Sequence, residues 1–199
     1  MLRDRTDTRD TLWRIASKQR GFFTAAQALD VGYSYQSHRF HAQRGNWLRV
    51  DRGIYRFREF GHMPSEGDEH LVRWSLWSRG RAVASHTTSL AAHGLGIANA
   101  DEIHLTIPPG FRQRDSAVVL HKADLRPEEI EQRAGYRLTT PVRAVVDCAA
   151  AGLEQSVIAS AIAHLMQHGQ ATQQELLHVA EQLGPRAELG VERALRAEH

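Results

Sequence analysis

Cysteine is almost missing from this 199-residue chain: Cys148 stands alone, so it can form no internal disulfide and cannot hold zinc by itself. Lysine is nearly as scarce, with 23 arginines against only Lys18 and Lys122. No stretch approaches the ~20 apolar residues that a membrane helix needs. The longest apolar run, near Ala144–Ala151, is interrupted by Asp147. Met1-Leu2-Arg3-Asp4-Arg5 has no apolar segment behind its charges, so no secretory signal is expected. With six prolines and 15 glycines, the chain is neither collagen-like nor of low complexity. An apolar share of 42% is too high for wholesale disorder. The expectation is a soluble, cytoplasmic globular protein of one medium domain or two small ones.

What charge there is lies unevenly. Residues 1–60 carry twelve basic and six acidic side chains, a net of +6, whereas the remainder is net −4. A basic head on a mildly acidic body suggests a polyanion as partner, because arginine displaces the counterions condensed on phosphates.

The pattern of the head agrees. A first helix is expected over the first twenty residues, capped by Thr8 or Thr11, with Leu12, Ile15 and Ala16 as its stripe and Gly21 as its stop. Phe22-Phe23 is extended, and Thr24 caps a second helix, Ala25–Asp30. After Gly32 a third helix, Tyr35–Arg44, follows with Ser34 as its cap. Trp47–Val50 and Ile54–Phe57 flank Asp51-Arg52-Gly53 as a hairpin, with Gly53 expected at positive φ. Two short helices with a tight turn, followed by a hairpin, describe a winged helix-turn-helix, whose projecting helix fits the ~12 Å major groove of DNA. Residues 61–68 read as a linker, which sets an expected division into a DNA-binding domain at 1–60 and a second domain at 69–199.

In that second domain a helix is expected over Glu69–Ser78, then an apolar run at Ala82–Ala84 and a helix ending at Ala92. Strands are expected at Ile103–Ile107, Ala117–His121 and Tyr136–Leu138, and helices at Val142–Ala150, Gln155–Gln167, Gln173–Leu183 and Leu189–Ala197. The fold class is α+β: an N-terminal winged helix-turn-helix, then a mixed α/β domain ending in helices.

Several segments, taken in order, resemble one family. They are Gly21-Phe22-Phe23-Thr24-Ala25-Ala26-Gln27-Ala28, His41-Ala42-Gln43-Arg44-Gly45-Asn46-Trp47 and Arg52-Gly53-Ile54-Tyr55-Arg56. They continue through Ser85–Leu90, His104–Phe111, Gly135-Tyr136-Arg137 and Thr140-Pro141-Val142-Arg143 with Asp147. Together they resemble the AbiEi-type antitoxins of bacterial type IV toxin–antitoxin, or abortive infection, systems. The resemblance implies a winged-helix DNA-binding domain, a C-terminal antitoxin domain and repression of the antitoxin's own operon. It also implies a partner toxin that looks like a nucleotidyltransferase. The expected partners are therefore double-stranded operator DNA, that toxin, and a second copy of the chain on the DNA.

With Phe40 turned inward, the third helix presents Tyr35, His38, Arg39 and Ala42 outward, with Gln36 and Gln43 at the margins; a rotated wheel would instead turn His38 and Ala42 inward. The expected DNA-contacting set is Ser34, Tyr35, Gln36, His38, Arg39 and Gln43, with Arg49, Arg52 and Arg56 of the hairpin on phosphates. Trp47 and Tyr55 are assigned to the core. His164 and His168 have the i, i+4 spacing of a zinc helix, but no Glu follows His164 and no third ligand has a motif, so no metal and no cofactor are expected. Adjacent Ser85 and His86 on a strand point to opposite faces, which argues against a nucleophilic pair and for Ser85 or Thr87 as a helix cap. Arg143 and Asp147 stand four apart and suggest an ion pair. Neither lysine lies in the Asp…Glu-x-Lys pattern of metal-dependent nucleases, so no enzyme is expected. The alternative is a stand-alone winged-helix regulator whose second domain senses a ligand or partner.

Overall fold

Leu12 and Ala16, one helical turn apart, are fully buried, and they seat the first helix. The computed structural model describes residues 5–62, 67–95 and 102–197. The chain divides into two compact units: Met1–Gly80 with Gln132–Tyr136, and Arg81–Glu131 with Arg137–His199. The expected linker and boundary at 61–68 are corrected by this division, although residues 63–66 lie outside the described residues. The helix that follows belongs to the first unit, because its acidic start holds two arginines of the basic head. Asp68 takes Arg20 at 2.5 Å, and Glu69 takes Arg56 at 2.6 Å.

The first unit runs α1 (Arg5–Ser17), β1 (Phe22–Thr24), α2 (Ala25–Asp30), α3 (Tyr35–Gln43), β2 (Trp47–Asp51), β3 (Ile54–Phe57), a 3-10 turn at Arg58–His62 and α4 (Glu69–Trp77). Helix α1 starts earlier than expected, so Thr8 and Thr11 lie inside it and are not its caps. Thr24 caps α2 and Ser34 caps α3, each in a reciprocal capping box with the residue three further on. The strands form an antiparallel sheet in the order β1-β3-β2. Gly53 turns the hairpin at φ +72°. The core gathers Leu12, Ala16, Phe23, Ala28, Val31, Trp47 and Phe57. Phe60, in the 3-10 turn, packs its ring 4.9 Å from that of Trp13.

From residue 81 onward the chain runs β4 (Val83–Ala84), α5 (His86–Ala92), β5 (Ile103–Ile107), β6 (Val118–Lys122), a 3-10 turn at Pro127–Glu129, and the strands β7 (Ile130–Arg133) and β8 (Tyr136–Thr139), of which residues 132–133 and 136 count with the first unit. It closes with α6 (Pro141–Ala151), α7 (Gln155–Gln167), α8 (Gln173–Leu183) and α9 (Pro185–Arg196). The sheet order is β6-β5-β4-β8-β7, with β4 antiparallel to β5 and parallel to β8, and β5 parallel to β6. Strand β7 was not expected from the sequence, and α9 begins four residues before its expected start. Helix α6 is buried from Arg143 to Ala149, and α7, α8 and α9 pack round it. The α+β class holds.

Inside α6 the anticipated Arg143–Asp147 pair forms at 2.8 Å, and Arg143 also reaches Glu129 at 2.7 Å. Burial pushes the Asp147 carboxyl up to about 6, against the pull of Arg143. Asp147 Oδ2 meets no hydrogen-bond partner. Next to it, burial raises the Cys148 thiol to about 12, which makes it a small hydrophobe and not a nucleophile.

Candidate functional site

Two places gather polar groups without an evident structural reason. The first is the outer face of α3 with the β2–β3 hairpin. Ser34 Oγ accepts the Ser37 amide, which fixes the first turn of α3, and Val31–Ser34 separates α2 from α3. Tyr35 is 75% exposed and Phe40 52% exposed, and Gln36, Arg39, Gln43 and Arg44 share their face. On the hairpin Arg49 and Arg52 are exposed, beside Leu48 and Val50. Arg39, Arg49 and Arg52 form no ion pair with any described residue, so their guanidinium groups are available to an anion.

Three expectations are corrected here. His38 does not face outward. It is 5% exposed, with its ring 5.5 Å from that of Trp47 and 6.0 Å from that of Tyr55. Burial and then His41 lower its pKa. Phe40, expected inward, lies outside under the Arg44 guanidinium. The buried Trp47 rotates the helix: its flat indole takes His38 and His41 as ring-on-ring neighbours, with His41 stacked at 4.7 Å. Arg56 is not free for a phosphate either, since it is bidentate to Glu69, donates to the Arg20 carbonyl and lies over the Phe22 ring. Ser34, Tyr35, Gln36, Arg39, Gln43, Arg49 and Arg52 remain together on the exposed side.

The second place was not legible in the sequence. Thr106 faces His121 across the parallel β5–β6 pair. His104, two residues before Thr106, shares its side of the sheet. The Ser85 amide extends the ladder to the His104 carbonyl at 3.1 Å. His86 then turns back at φ +53°, in the left-handed region that costs a non-glycine residue about 1–3 kcal/mol. That turn overrides the alternation of a strand and overturns the expectation that Ser85 and His86 diverge: His86 Nδ1 lies 3.0 Å from Ser85 Oγ. Ser85 does not cap α5 with its side chain. Its hydroxyl accepts from Thr106 Oγ1 at 2.8 Å.

The result is a cluster of three imidazoles. His104 Nδ1 and His121 Nε2 are 2.9 Å apart, and the rings of His86 and His121 stack at 3.6 Å. One ring nitrogen from each of the three lies within 4.8 Å of the others. Burial, then His121, His104 and Arg143, lower His86 to about 3. Burial also lowers His104, against Glu102, and burial and His104 lower His121. All three rings are neutral at neutral pH, with lone pairs to offer. His164 and His168, the pair with zinc-helix spacing, stack on each other at 4.1 Å, and His168 Nδ1 takes the His164 carbonyl. Among the described residues no third donor joins that pair.

No protein-family model matches this chain, and no curated protein matches it either. At the level of fold it is an α+β chain with a solved counterpart. The crystal structure of the RV2827C protein from Mycobacterium tuberculosis is similar over 96% of this chain and 78% of that one, with a TM-score of 0.58 and 16% sequence identity. Among the described residues no helix is long and apolar enough to cross a membrane.

Proposed function

We propose that this chain is a cytoplasmic DNA-binding regulator of the antitoxin type. Its first unit acts as a winged helix-turn-helix on double-stranded operator DNA, and its second unit counters a nucleotidyltransferase-like toxin without chemistry of its own. The observation that supports this best is the outer face of α3, where Tyr35, Gln36, Arg39 and Gln43 are exposed, with Arg49 and Arg52 of the hairpin exposed and without an ion pair to any described residue. A helix about 10 Å wide with a capped, projecting first turn can enter the major groove, where Gln pairs with adenine and Arg with guanine. The hairpin arginines then reach flanking phosphates.

The test is titration of the full chain against the DNA upstream of its own gene and against random DNA. Arg39→Ala or Gln36→Ala should relax sequence preference at one or two positions, at ~1–3 kcal/mol each. Arg49→Ala or Arg52→Ala should weaken both DNAs alike and flatten the salt dependence by about 0.9 log–log units per lost phosphate contact. Equal affinity of wild type for both DNAs would end the operator assignment. Co-expression with a toxin encoded beside this gene tests the second unit: DNA binding without protection of growth would leave a stand-alone regulator.

A further inference from the structure

We propose that His86, His104 and His121 bind one divalent transition-metal ion of the zinc class, with solvent completing the coordination sphere. The argument begins with position. Three elements far apart in sequence, the turn after β4 and the parallel strands β5 and β6, each deliver one imidazole to the same side of one sheet. Zinc bound by imidazole has metal–nitrogen bonds of about 2.0–2.1 Å, so two ligand nitrogens on a tetrahedral ion stand about 3.3 Å apart. The His104–His121 pair, at 2.9 Å, is already close to that spacing. Without a metal a single N–H···N hydrogen bond can hold this pair. An ion would replace that bond and take a lone pair from each ring.

His86 needs one adjustment, because its ring lies face to face with that of His121. Rotation about its Cβ–Cγ bond, a soft torsion, aims an edge at the shared point. Ser85 Oγ sits 3.0 Å from Nδ1 and is placed to accept its N–H, which leaves the other nitrogen for the metal. Thr106 holds that Ser85 hydroxyl from the far side. Outer partners of this kind fix the tautomer and orientation of a ligating histidine. The left-handed backbone at His86 is a second, independent sign. Arg20 and Arg79 share that conformation, but each follows a helix C-terminus, whereas His86 adopts it at the start of α5. Three nitrogen donors with no thiolate suit zinc, copper or nickel and disfavour magnesium and calcium. His104 and His121 are only half-buried, so solvent reaches the open position.

The experiment uses the full chain, freed of any affinity tag and of metal, titrated with Co(II) and then with Zn(II). Saturation at one Co(II) per chain is expected, with the visible absorption of a nitrogen-ligated ion, displacement by zinc and a higher melting temperature in the zinc form. His104→Ala and His121→Ala should abolish the signal, while the double variant His164→Ala/His168→Ala keeps it. Ser85→Ala should weaken binding about 10–100-fold while leaving the stoichiometry unchanged. Should an alanine variant fail to fold by circular dichroism, His104→Gln replaces it, and the wild-type stoichiometry stands independently of every variant. No saturable uptake by wild type would overturn the proposal. So would uptake lost in the His164/His168 variant and kept in His104→Ala.

Discussion

Gly21 lies where the chain has no room for a side chain. Its φ is +87°, and a Cβ there would come within 2.3–2.7 Å of the Phe60 side chain. Gly21→Ala should therefore lose about 2–4 kcal/mol, the sum of a left-handed alanine and an overpacked ring, read as a lower denaturant midpoint at unchanged slope. His38 makes a different prediction. Its folded pKa lies below the ordinary 6.5, so the unfolded chain binds the extra proton. Stability from this residue is complete above pH 6.5 and falls as pH drops below that value towards the folded pKa. His38→Phe should remove that part of the acid sensitivity, seen as a flatter plot of melting temperature against pH between 7 and 5. The sequence announced the caps Thr24 and Ser34 and the turn glycine Gly53, because each acts within three or four residues. It misplaced His38 and Phe40, because the choice between them is made by Trp47, from another element.

Among elements, α6 shows how local a readable signal must be. Its Pro141 start, its apolar length and the Arg143–Asp147 spacing were all legible. Glu129, the second partner of Arg143, comes from a 3-10 turn and was not. Arg143→Met should cost about 3–5 kcal/mol, because the buried Asp147 loses its cation and Glu129 is left with Arg126 alone. The Asp147 carboxyl, already raised by burial, would then titrate at still higher pH. A carboxyl whose folded pKa exceeds its unfolded value withdraws stability as pH rises, so this variant should be less deficient at pH 5 than at pH 8 in urea melts. Strand β7 escaped detection because Ile130-Glu131-Gln132-Arg133 offers one apolar residue and no alternation, as befits the sheet's edge. The start of α9 at Pro185 obeys the same first-turn rule as Pro141, which its polar first turn concealed. The histidine cluster was invisible for a further reason: nothing in the spacing of 86, 104 and 121 gives the register of two parallel strands.

For the whole molecule, the charge division was a sound guide to where basic groups collect but a poor guide to the boundary. Arg20 and Arg56 contribute to the +6 of the head, yet their charge is taken up by Asp68 and Glu69 of the same unit. A fragment cut at residue 60 strands both guanidiniums. Fragment 1–80 should accordingly melt at higher temperature than fragment 1–60 and show a sharper transition by circular dichroism. Equal melting curves would mean that the two ion pairs add nothing. Any comparison of DNA affinity between fragments should start from 1–80, since loose folding of 1–60 would otherwise pass for lost contact.

The first unit is also discontinuous. Tyr136 donates its hydroxyl to the Asp68 carboxylate, and residues 132–136 count with residues 1–80. During synthesis the ribosome delivers the head first, but a piece of that head follows only after β4, β5 and β6 have been made. An N-terminal unit therefore waits for a late segment, and closing so long a loop slows its completion. A nascent chain stalled before residue 132 holds an unfinished head, open for longer to proteases and to quality control than a contiguous unit of the same size.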